Sequence, residues 1–229
     1  MIEATIRALY PRLLAAYGPQ HWWPADSPFE VCIGAILTQN TSWTNVEKAI
    51  QSLKDANALS PSRLTHASPE QLQAWIRPAG FFRQKSRRIQ AFCRFLLHHG
   101  GMDALAAWDS HALRTALLDI HGIGPETADS MLLYAWRQPV FVIDAYTRRL
   151  LSRLACTPIT IAYDALQAHF HRALPRQETL FNEYHALIVE HAKRHCRSRP
   201  RCTGCPLVER CRHPSSASKD SIIAHACRT

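Results

Sequence analysis

The sequence predicts an all-α fold, because apolar residues recur at helical spacing along most of its 229 residues and helix-start signals precede several stretches. Only residues 139–143 (Pro-Val-Phe-Val-Ile) have an extended pattern, and one short segment cannot form a sheet. A hydrophobic content of 47% suits a packed core and excludes a disordered chain. No apolar run approaches the ~20 residues that span a bilayer, so we expect a soluble, cytoplasmic protein without a membrane partner. We also expect a monomer.

Individual helices are marked by buried stripes and by their first residues. In residues 82–97, Ile89, Phe92 and Leu96 form one apolar stripe. The basic residues of this stretch are expected on its exposed side: Arg83, Lys85, Arg87, Arg88 and Arg94. Residues 68–71 (Ser-Pro-Glu-Gln) have the pattern of a capping box. Asp109 is predicted to cap a helix at residues 110–118.

The net charge of +9 favours a polyanionic partner, most often nucleic acid, over a basic protein without one. Most of the 27 basic residues are arginines. The lysines, which alone could supply an amine nucleophile, are only these: Lys48, Lys54, Lys85, Lys193 and Lys219.

Four of the eight cysteines have the spacing Cys196-x5-Cys202-x2-Cys205-x5-Cys211. Thiolates this close can converge on zinc or on an iron–sulfur cluster. Structural zinc sites more often use two Cys-x2-Cys pairs, so the single short gap favours a [4Fe–4S] cluster. Nearby histidines could substitute as ligands, but we expect them at the surface: His191, His195 and His213. Cys32, Cys93 and Cys156 lie among apolar residues and are expected in the core.

Seven basic residues surround these cysteines, with Glu209 as the only acid among them. They could contact phosphates, balance an anionic cluster, or do both. The seven are Lys193, Arg194, Arg197, Arg199, Arg201, Arg210 and Arg212.

A tight turn joins two helical patterns within residues 117–128. Gly122 and Gly124, on either side of Ile123, supply backbone freedom, and Pro125 suits the first position of the next helix. N–H groups at a helix N-terminus bind phosphate readily, so the turn is a candidate contact to a nucleic-acid backbone.

This turn, then Asp144, then the cysteine cluster resemble the helix–hairpin–helix DNA glycosylases of the endonuclease III superfamily. The resemblance runs from about Trp22 to Cys211, with a gap between Cys196 and Cys202 that is one residue shorter than usual. It implies a six-helix domain at 29–137 and a cluster lobe built from 1–28 and 138–211. Residues 212–229 are Ser-rich and polar, and we expect them to form a disordered tail.

The resemblance further implies that damaged bases in double-stranded DNA are flipped into a cleft between the lobes while Gly122, Ile123 and Gly124 grip the backbone. Asp144 would serve glycosidic cleavage, since a fixed carboxylate can stabilise positive charge on the sugar and position a water. The alternative is that Asp144 caps a helix at 145–154 and pairs with Arg148. Capping and catalysis are compatible.

Bifunctional members carry a lysine at the position of Glu126, where its amine attacks C1′ and leads to strand cleavage. Glutamate cannot form that imine, and no lysine lies between Lys85 and Lys193. We therefore expect a monofunctional enzyme that leaves an abasic site.

Several segments resemble the 3-methyladenine glycosylase branch: Trp22-Trp23-Pro24, residues 29–41, Trp43, residues 76–81 and Ala128-Asp129-Ser130. Trp22, Trp23 and Trp43 are candidates for a pocket that binds a cationic alkylated purine through aromatic faces, or else core anchors. Gln39 and Phe81 lie where relatives insert side chains into the duplex. For Phe81 the alternative is packing under Arg77.

The leading hypothesis is a glycosylase for alkylated purines such as 3-methyladenine, associated with the nucleoid. One alternative is a glycosylase for oxidised or mismatched pyrimidines with weak lyase activity. The other is a non-catalytic DNA-binding iron–sulfur protein, which would have no need of Asp144.

Overall fold

The computed structural model describes residues 2–213, and every regular element in that range is helical. The all-α prediction is therefore confirmed. From residue 214 onward, the tail expected at 212–229 lies outside the described residues. No helix within the described range is both long and apolar enough to cross a membrane.

The α-helices of the described residues are α1 (Ile2–Tyr17), α2 (Pro28–Leu37), α3 (Trp43–Asp55), α4 (Pro61–His66), α5 (Pro69–Trp75), α6 (Phe82–His98), α7 (Gly101–Ala106), α8 (Ser110–Leu118), α9 (Pro125–Tyr134), α10 (Ala145–Arg153), α11 (Tyr163–Ala173) and α12 (Glu178–Arg194). Short 3-10 turns lie at Arg77–Ala79 and Val208–Arg210. The capping box of α5 and the Asp109 cap of α8 are both present as predicted.

The chain divides into two compact units. The terminal unit combines residues up to Trp22 with those from Phe141 onward, and the central unit is Trp23–Val140. The boundaries expected from the sequence are 28/29 and 137/138. The central unit holds α2 to α9, of which α4, α5 and α7 have only six or seven residues.

The central unit is built around α2 and α9, which pack against each other. Ser27 caps α2 by accepting a hydrogen bond from the Glu30 N–H at 3.2 Å, and Pro28 starts its first turn. Every residue of α2 after Pro28 is buried, as is every residue of α9 from Thr127 onward. Burial of this extent makes both helices rigid supports for the turns at their ends.

In the terminal unit, α1 packs against α11 and α12, and α10 packs against α12. An aromatic group fills this core. Phe141 stacks on Phe170 with ring centroids 3.9 Å apart. It packs edge to face with Phe181 and Tyr184, with centroids 5.4 and 5.7 Å apart. Phe141 opens the extended segment before α10, so the core anchors the backbone that leads to Asp144.

The exposed side of α6 differs from the prediction. Arg83, Arg87 and Arg94 are exposed, but Lys85 is only 1% exposed and Arg88 is half-buried. Lys85 lies four residues before Ile89, which places it on the same buried stripe. Its expected place on the exposed face was therefore wrong. Cys32 and Cys93 are fully buried as expected, whereas Cys156 is half-exposed.

Candidate functional site

Asp144 is the N-cap of α10 and is 7% exposed. Its Oδ1 accepts hydrogen bonds from the Thr147 N–H at 2.7 Å and from the Thr147 hydroxyl at 2.8 Å. The predicted capping role is thus confirmed. Arg148 donates instead to the carbonyl of Ile161. These bonds hold the carboxylate in a fixed place, and a fixed carboxylate can stabilise positive charge that develops close to it.

The other oxygen of Asp144 faces His185 of α12, with Oδ2 and Nε2 3.5 Å apart. Burial acts to raise the pKa of Asp144, but His185 and the two Thr147 donors outweigh it and hold the pKa below its ordinary value. Asp144 is therefore ionised at neutral pH. The ionised Asp144 stabilises the folded protein fully at pH values above the pKa that this carboxyl has in the unfolded chain. This stabilisation is lost as the pH falls through the lower pKa that the carboxyl has in the folded protein.

Trp22 lies beside this pair within the terminal unit. Its ring meets His185 edge-on with centroids 6.1 Å apart, and the Lys193 ammonium lies over it at 5.4 Å. Trp22 is half-buried, so part of the ring is open to solvent. One aromatic face is thus fixed near the side of Asp144 that carries His185.

The backbone before Asp144 is held by side chains of α11 rather than by a neighbouring strand. The Phe141 N–H donates to His171 Nε2 at 3.0 Å, and the Phe141 carbonyl accepts from Gln167 Nε2 at 2.7 Å. The Ile143 N–H donates to the Tyr163 hydroxyl at 3.2 Å. These three side chains, four residues apart, lie on one face of α11 and replace the partners of an edge strand.

The glycine turn precedes α9, which begins at Pro125 as predicted. Gly122 has φ +89°, and an added Cβ would lie 2.3 Å from Arg88 Nε. Ile123 is buried and its N–H donates to the Ile120 carbonyl at 3.0 Å, so its side chain anchors the turn from inside. Gly124 is exposed, with no atom within 4 Å of its would-be Cβ.

Gln39, at the end of α2, is engaged with this turn. Its Nε2 donates to the Gly122 carbonyl at 3.1 Å and to the Thr127 hydroxyl at 2.9 Å, while its Oε1 accepts from Arg88. Insertion of Gln39 into a duplex would require these bonds to break. The structure therefore ties the predicted insertion residue to the predicted backbone contact.

Gly122→Ala is expected to lower the free energy of unfolding by about 1–3 kcal/mol, because alanine is strained at φ +89° and its Cβ displaces Arg88. Gly124→Ala is the matched control. It has φ −94° and open space around it, so we expect a loss below about 1 kcal/mol. Urea unfolding of both variants measures the difference. Equal losses would contradict the role assigned to Gly122.

Glu126 is exposed in the first turn of α9. An acidic side chain at this position stabilises the helix through the macrodipole. Because like charges repel, a phosphate is less favourable next to the Glu126 carboxylate than next to the exposed backbone of Gly124.

Trp23 and Trp43 pack edge to face, with ring centroids 5.1 Å apart. Together they line a cavity of about 70 Å³ in the central unit. Two carboxylates belong to the same cavity. Glu47 accepts from Trp43 Nε1 at 2.9 Å, and the buried Glu30 pairs with Lys54 at 2.9 Å. Of the three predicted pocket tryptophans, the structure therefore brings together Trp23 and Trp43, while Trp22 belongs to the terminal unit.

Phe81 is 61% exposed and precedes α6 with φ +45°. Arg77 lies over the ring of the neighbouring Phe82, 5.5 Å from its centroid, and the exposure of Phe81 favours insertion over the alternative of packing under Arg77. Phe81 is held out as an apolar tip.

The four clustered cysteines line one cavity in the terminal unit. Burial raises the pKa of the Cys205 thiol, and the neighbouring thiols Cys211, Cys202 and Cys196 raise it further. In the described residues, no three histidine, cysteine or acidic side chains are already arranged as a metal site. The donor set and its common cavity nevertheless fit a centre held by thiolates.

Arg153, at the end of α10, holds the cysteine loop. It donates to the carbonyls of Arg197 at 2.7 Å and Ser198 at 3.1 Å, and to Cys196 Sγ at 3.3 Å. Because Asp144 caps the other end of this nine-residue helix, α10 connects the carboxylate to the cysteine loop. All seven basic residues around the cysteines are exposed.

Of the three histidines near the cysteines, all expected at the surface, only His191 is buried, and for His191 the expectation was wrong. His191 is 2% exposed, and its Nδ1 lies 2.8 Å from the Tyr17 hydroxyl. Burial, with His195 nearby, lowers the pKa of His191 to about 4, so it is neutral. His195 and His213 are half-buried, and all three histidines line the cysteine cavity.

Three features were not predicted from the sequence: His185, Lys85 and the row of α11 side chains that bonds to the segment before Asp144, here called the α11 ladder. The ladder had a signal, because Tyr163, Gln167 and His171 repeat every four residues. The burial of Lys85 also had a signal in the sequence, because Lys85 lies four residues before Ile89 on the apolar stripe of α6. His185 had none, since only the packing of α12 against α10 brings it to Asp144.

Comparison with known proteins gives a family and relatives. The family described as "HhH-GPD superfamily base excision DNA repair protein" matches residues 33–176. A protein of Methanocaldococcus jannaschii, named provisionally as a DNA repair glycosylase, is 44% identical over 209 residues, covering 90% of this chain and 95% of the relative.

The solved structures that share the fold include the following two. The Helicobacter pylori 3-methyladenine DNA glycosylase MagIII bound to 1,N6-ethenoadenine is 27% identical with a TM-score of 0.72, over 83% of this chain and 97% of that one. A non-covalent endonuclease III–DNA complex is 22% identical with a TM-score of 0.82, over 95% and 98%.

Proposed function

The chain belongs to the HhH-GPD superfamily of base excision DNA repair proteins, and within it we propose a monofunctional DNA N-glycosylase that removes alkylated purines. DNA glycosylase function follows from the family. The substrate class and the lack of lyase chemistry are the proposal.

The observation that carries the substrate class is the cavity between Trp23 and Trp43, with Glu30 and Glu47 among its lining residues. Alkylation at a ring nitrogen makes a purine cationic, and a cation is attracted to the faces of electron-rich rings. The indole N–H of Trp43 donates to the Glu47 carboxylate, which adds electron density to that ring. The aromatic walls and the Glu47 carboxylate together favour a cationic base over a neutral one, while the charge of Glu30 is already balanced by Lys54.

Asp144 is suited to the hydrolysis. A carboxylate that is ionised at neutral pH and fixed by Thr147 can stabilise the positive charge that builds on the sugar as the glycosidic bond breaks. An alkylated purine leaves as a neutral base, so no acid is needed to protonate it. The chemistry therefore places its demands on the carboxylate and on a water.

Glu126 supports the monofunctional assignment, because a carboxylate cannot attack C1′ to form a Schiff base. Lys85, the nearest lysine in sequence, uses its amine for two buried hydrogen bonds. Neither residue offers an amine for lyase chemistry.

Cys196, Cys202, Cys205 and Cys211 are proposed to hold a [4Fe–4S] cluster. When bound, such a cluster cross-links its loop through four thiolates and needs no redox change to do so. The chain positions the loop through Arg153 and leaves seven basic side chains exposed around it. These side chains can contact DNA phosphates on the surface of the cluster loop.

The test measures base release from methylated duplex DNA by the protein as isolated, with strand breaks scored before and after alkali. We expect 3-methyladenine in the released fraction and breaks only after alkali, because hydrolysis leaves an intact abasic strand. A duplex containing thymine glycol is the parallel substrate, and we expect it to stay intact.

Each other outcome has one meaning. Breaks without alkali would contradict the assignment from Glu126. Release of the oxidised pyrimidine but no methylated purine would favour an endonuclease III-like substrate. DNA binding with no release of either base would favour a non-catalytic protein.

A further inference from the structure

Lys85 is a fully buried lysine that the proposed reaction does not use. Its side chain is 1% exposed, and its Nζ donates to the carbonyls of Leu37 and Ala79, both at 2.8 Å. Leu37 ends α2, and Ala79 ends a 3-10 turn. One ammonium group thus joins two segments that are distant in sequence.

Each of these carbonyls lies two residues before a side chain that was predicted to insert into the duplex. Leu37 precedes Gln39, whose amide is bonded to the glycine turn. Ala79 precedes Phe81, the exposed aromatic tip. Gly80 and Phe81 have φ +67° and +45°, a region that a phenylalanine occupies only when its surroundings impose it. Lys85 supplies part of that constraint.

The choice of a lysine for this position has a physical reason. Burial, with the charge of Arg88 nearby, lowers the pKa of Lys85 to about 8. The charged amine is therefore destabilised by its surroundings, yet it stays protonated at neutral pH. An apolar residue would fill the space but leave both carbonyls without this donor. An ammonium has three donors on one atom and can bond two separate segments at once.

Arg88, three residues further along α6, completes the connection. It donates to Gln39 Oε1, and its side chain lies against Gly122. The same face of α6 therefore holds the Phe81 segment through Lys85 and the glycine turn through Arg88. All of these groups belong to the central unit, so they move together as one packed body.

We propose that Lys85 is a positioning residue that holds Phe81 at a fixed place relative to the glycine turn, so that Phe81 enters the base stack when the turn binds the backbone. The inference rests on the proposed function, because it assumes that the chain acts on duplex DNA. An exposed aromatic ring in the same packed unit as the glycine turn is suited to wedge between bases and fill the space of a displaced one.

The test uses the whole protein and a duplex with a tetrahydrofuran abasic analogue opposite 2-aminopurine, whose fluorescence rises when it loses its stacking partners. Wild type is expected to raise the fluorescence on binding. Lys85→Met keeps the length and burial of the side chain but removes both hydrogen bonds. We expect it to reduce the rise about tenfold while its Kd for undamaged duplex changes less than about threefold.

Two further variants keep the result interpretable. Lys48→Met, on the exposed side of α3, is the matched control and should leave the fluorescence rise unchanged. Phe81→Ala removes an exposed ring and leaves the Lys85 contacts in place, so it should fold normally and abolish the rise. This variant decides the wedge assignment even if Lys85→Met fails to fold.

The proposal is overturned if Lys85→Met or Phe81→Ala retains the full rise, or if wild type binds with no rise. It is also overturned if Lys85→Met loses binding and fluorescence in parallel, which would mean a structural role only. The readout requires no base release. Insertion by wild type without release of any alkylated purine would therefore refute the substrate assignment and leave this inference standing.

Discussion

Asp144→Asn is expected to lower base release at least about a hundredfold while the protein stays folded. Asparagine retains an oxygen that can accept from the Thr147 N–H, so the cap of α10 survives. It lacks the negative charge, so it cannot stabilise the sugar cation. Single-turnover release from methylated duplex DNA measures the loss, and thermal unfolding verifies the fold.

Asp109→Asn is the matched control for that substitution. Asp109 caps α8 in the same manner, accepting from the His111 and Ala112 N–H groups at 3.0 and 3.1 Å, but it is exposed and has no place in the reaction. We expect unchanged activity. Similar losses in both variants would show that Asp144 matters only as a cap.

The pH dependence provides an independent check. Because the pKa of Asp144 lies below its ordinary value, protonation of this carboxyl should not reduce activity as pH falls toward about 4, as long as the protein stays folded. A loss of activity centred near pH 6, with the fold intact, would contradict the environment described for Asp144.

Cys205→Ala is expected to remove the iron, abolish visible absorbance and lower the Tm by at least about 10 °C, because the binding energy of a loop-closing metal centre is also folding energy. Activity should fall as well. Arg153 bonds the cysteine loop to the end of α10, and Asp144 caps the start of the same helix, so a disordered loop loosens the carboxylate.

Cys156→Ala is the matched control within the terminal unit. Cys156 is half-exposed, as Cys205 is, but it does not line the cavity of the four cysteines. We expect its iron content, Tm and activity to stay close to wild type. Full iron content in Cys205→Ala, measured by elemental analysis, would refute the assigned ligand set. Zinc in wild type in place of iron would refute the choice of cluster.

Much of the site was predictable because its signals are local. The Asp144 cap, the glycine turn with Pro125 and the four-cysteine spacing each depend on residues close together in the chain. Local backbone geometry and loop closure impose these patterns, so they can be identified without knowledge of the packing. Gly122 is a clear case, since φ +89° requires the residue that the sequence supplies there.

Other features could be anticipated only in part. The tryptophans were recognisable as candidates for a pocket, but spacing does not decide which of them share a cavity. Trp43 reaches Trp23 because α3 packs against α2 and the Trp23 ring lies against Gly34 of α2. In the same way, Lys85 was assigned to the wrong face of α6, because a charged residue on an apolar stripe is expected at the surface unless a buried acceptor compensates it.

By itself, then, the sequence determined the helical class, the caps of α5, α8 and α10, the glycine turn, and the chemical types available for catalysis and metal binding. Only the tertiary structure decided that His185 faces Asp144, that α11 holds the segment before it, and that Lys85 joins α2 to the Phe81 segment. These contacts join residues far apart in the chain. They form only after helix faces have packed, and the free energy of that packing belongs to the whole unit rather than to any short pattern within it.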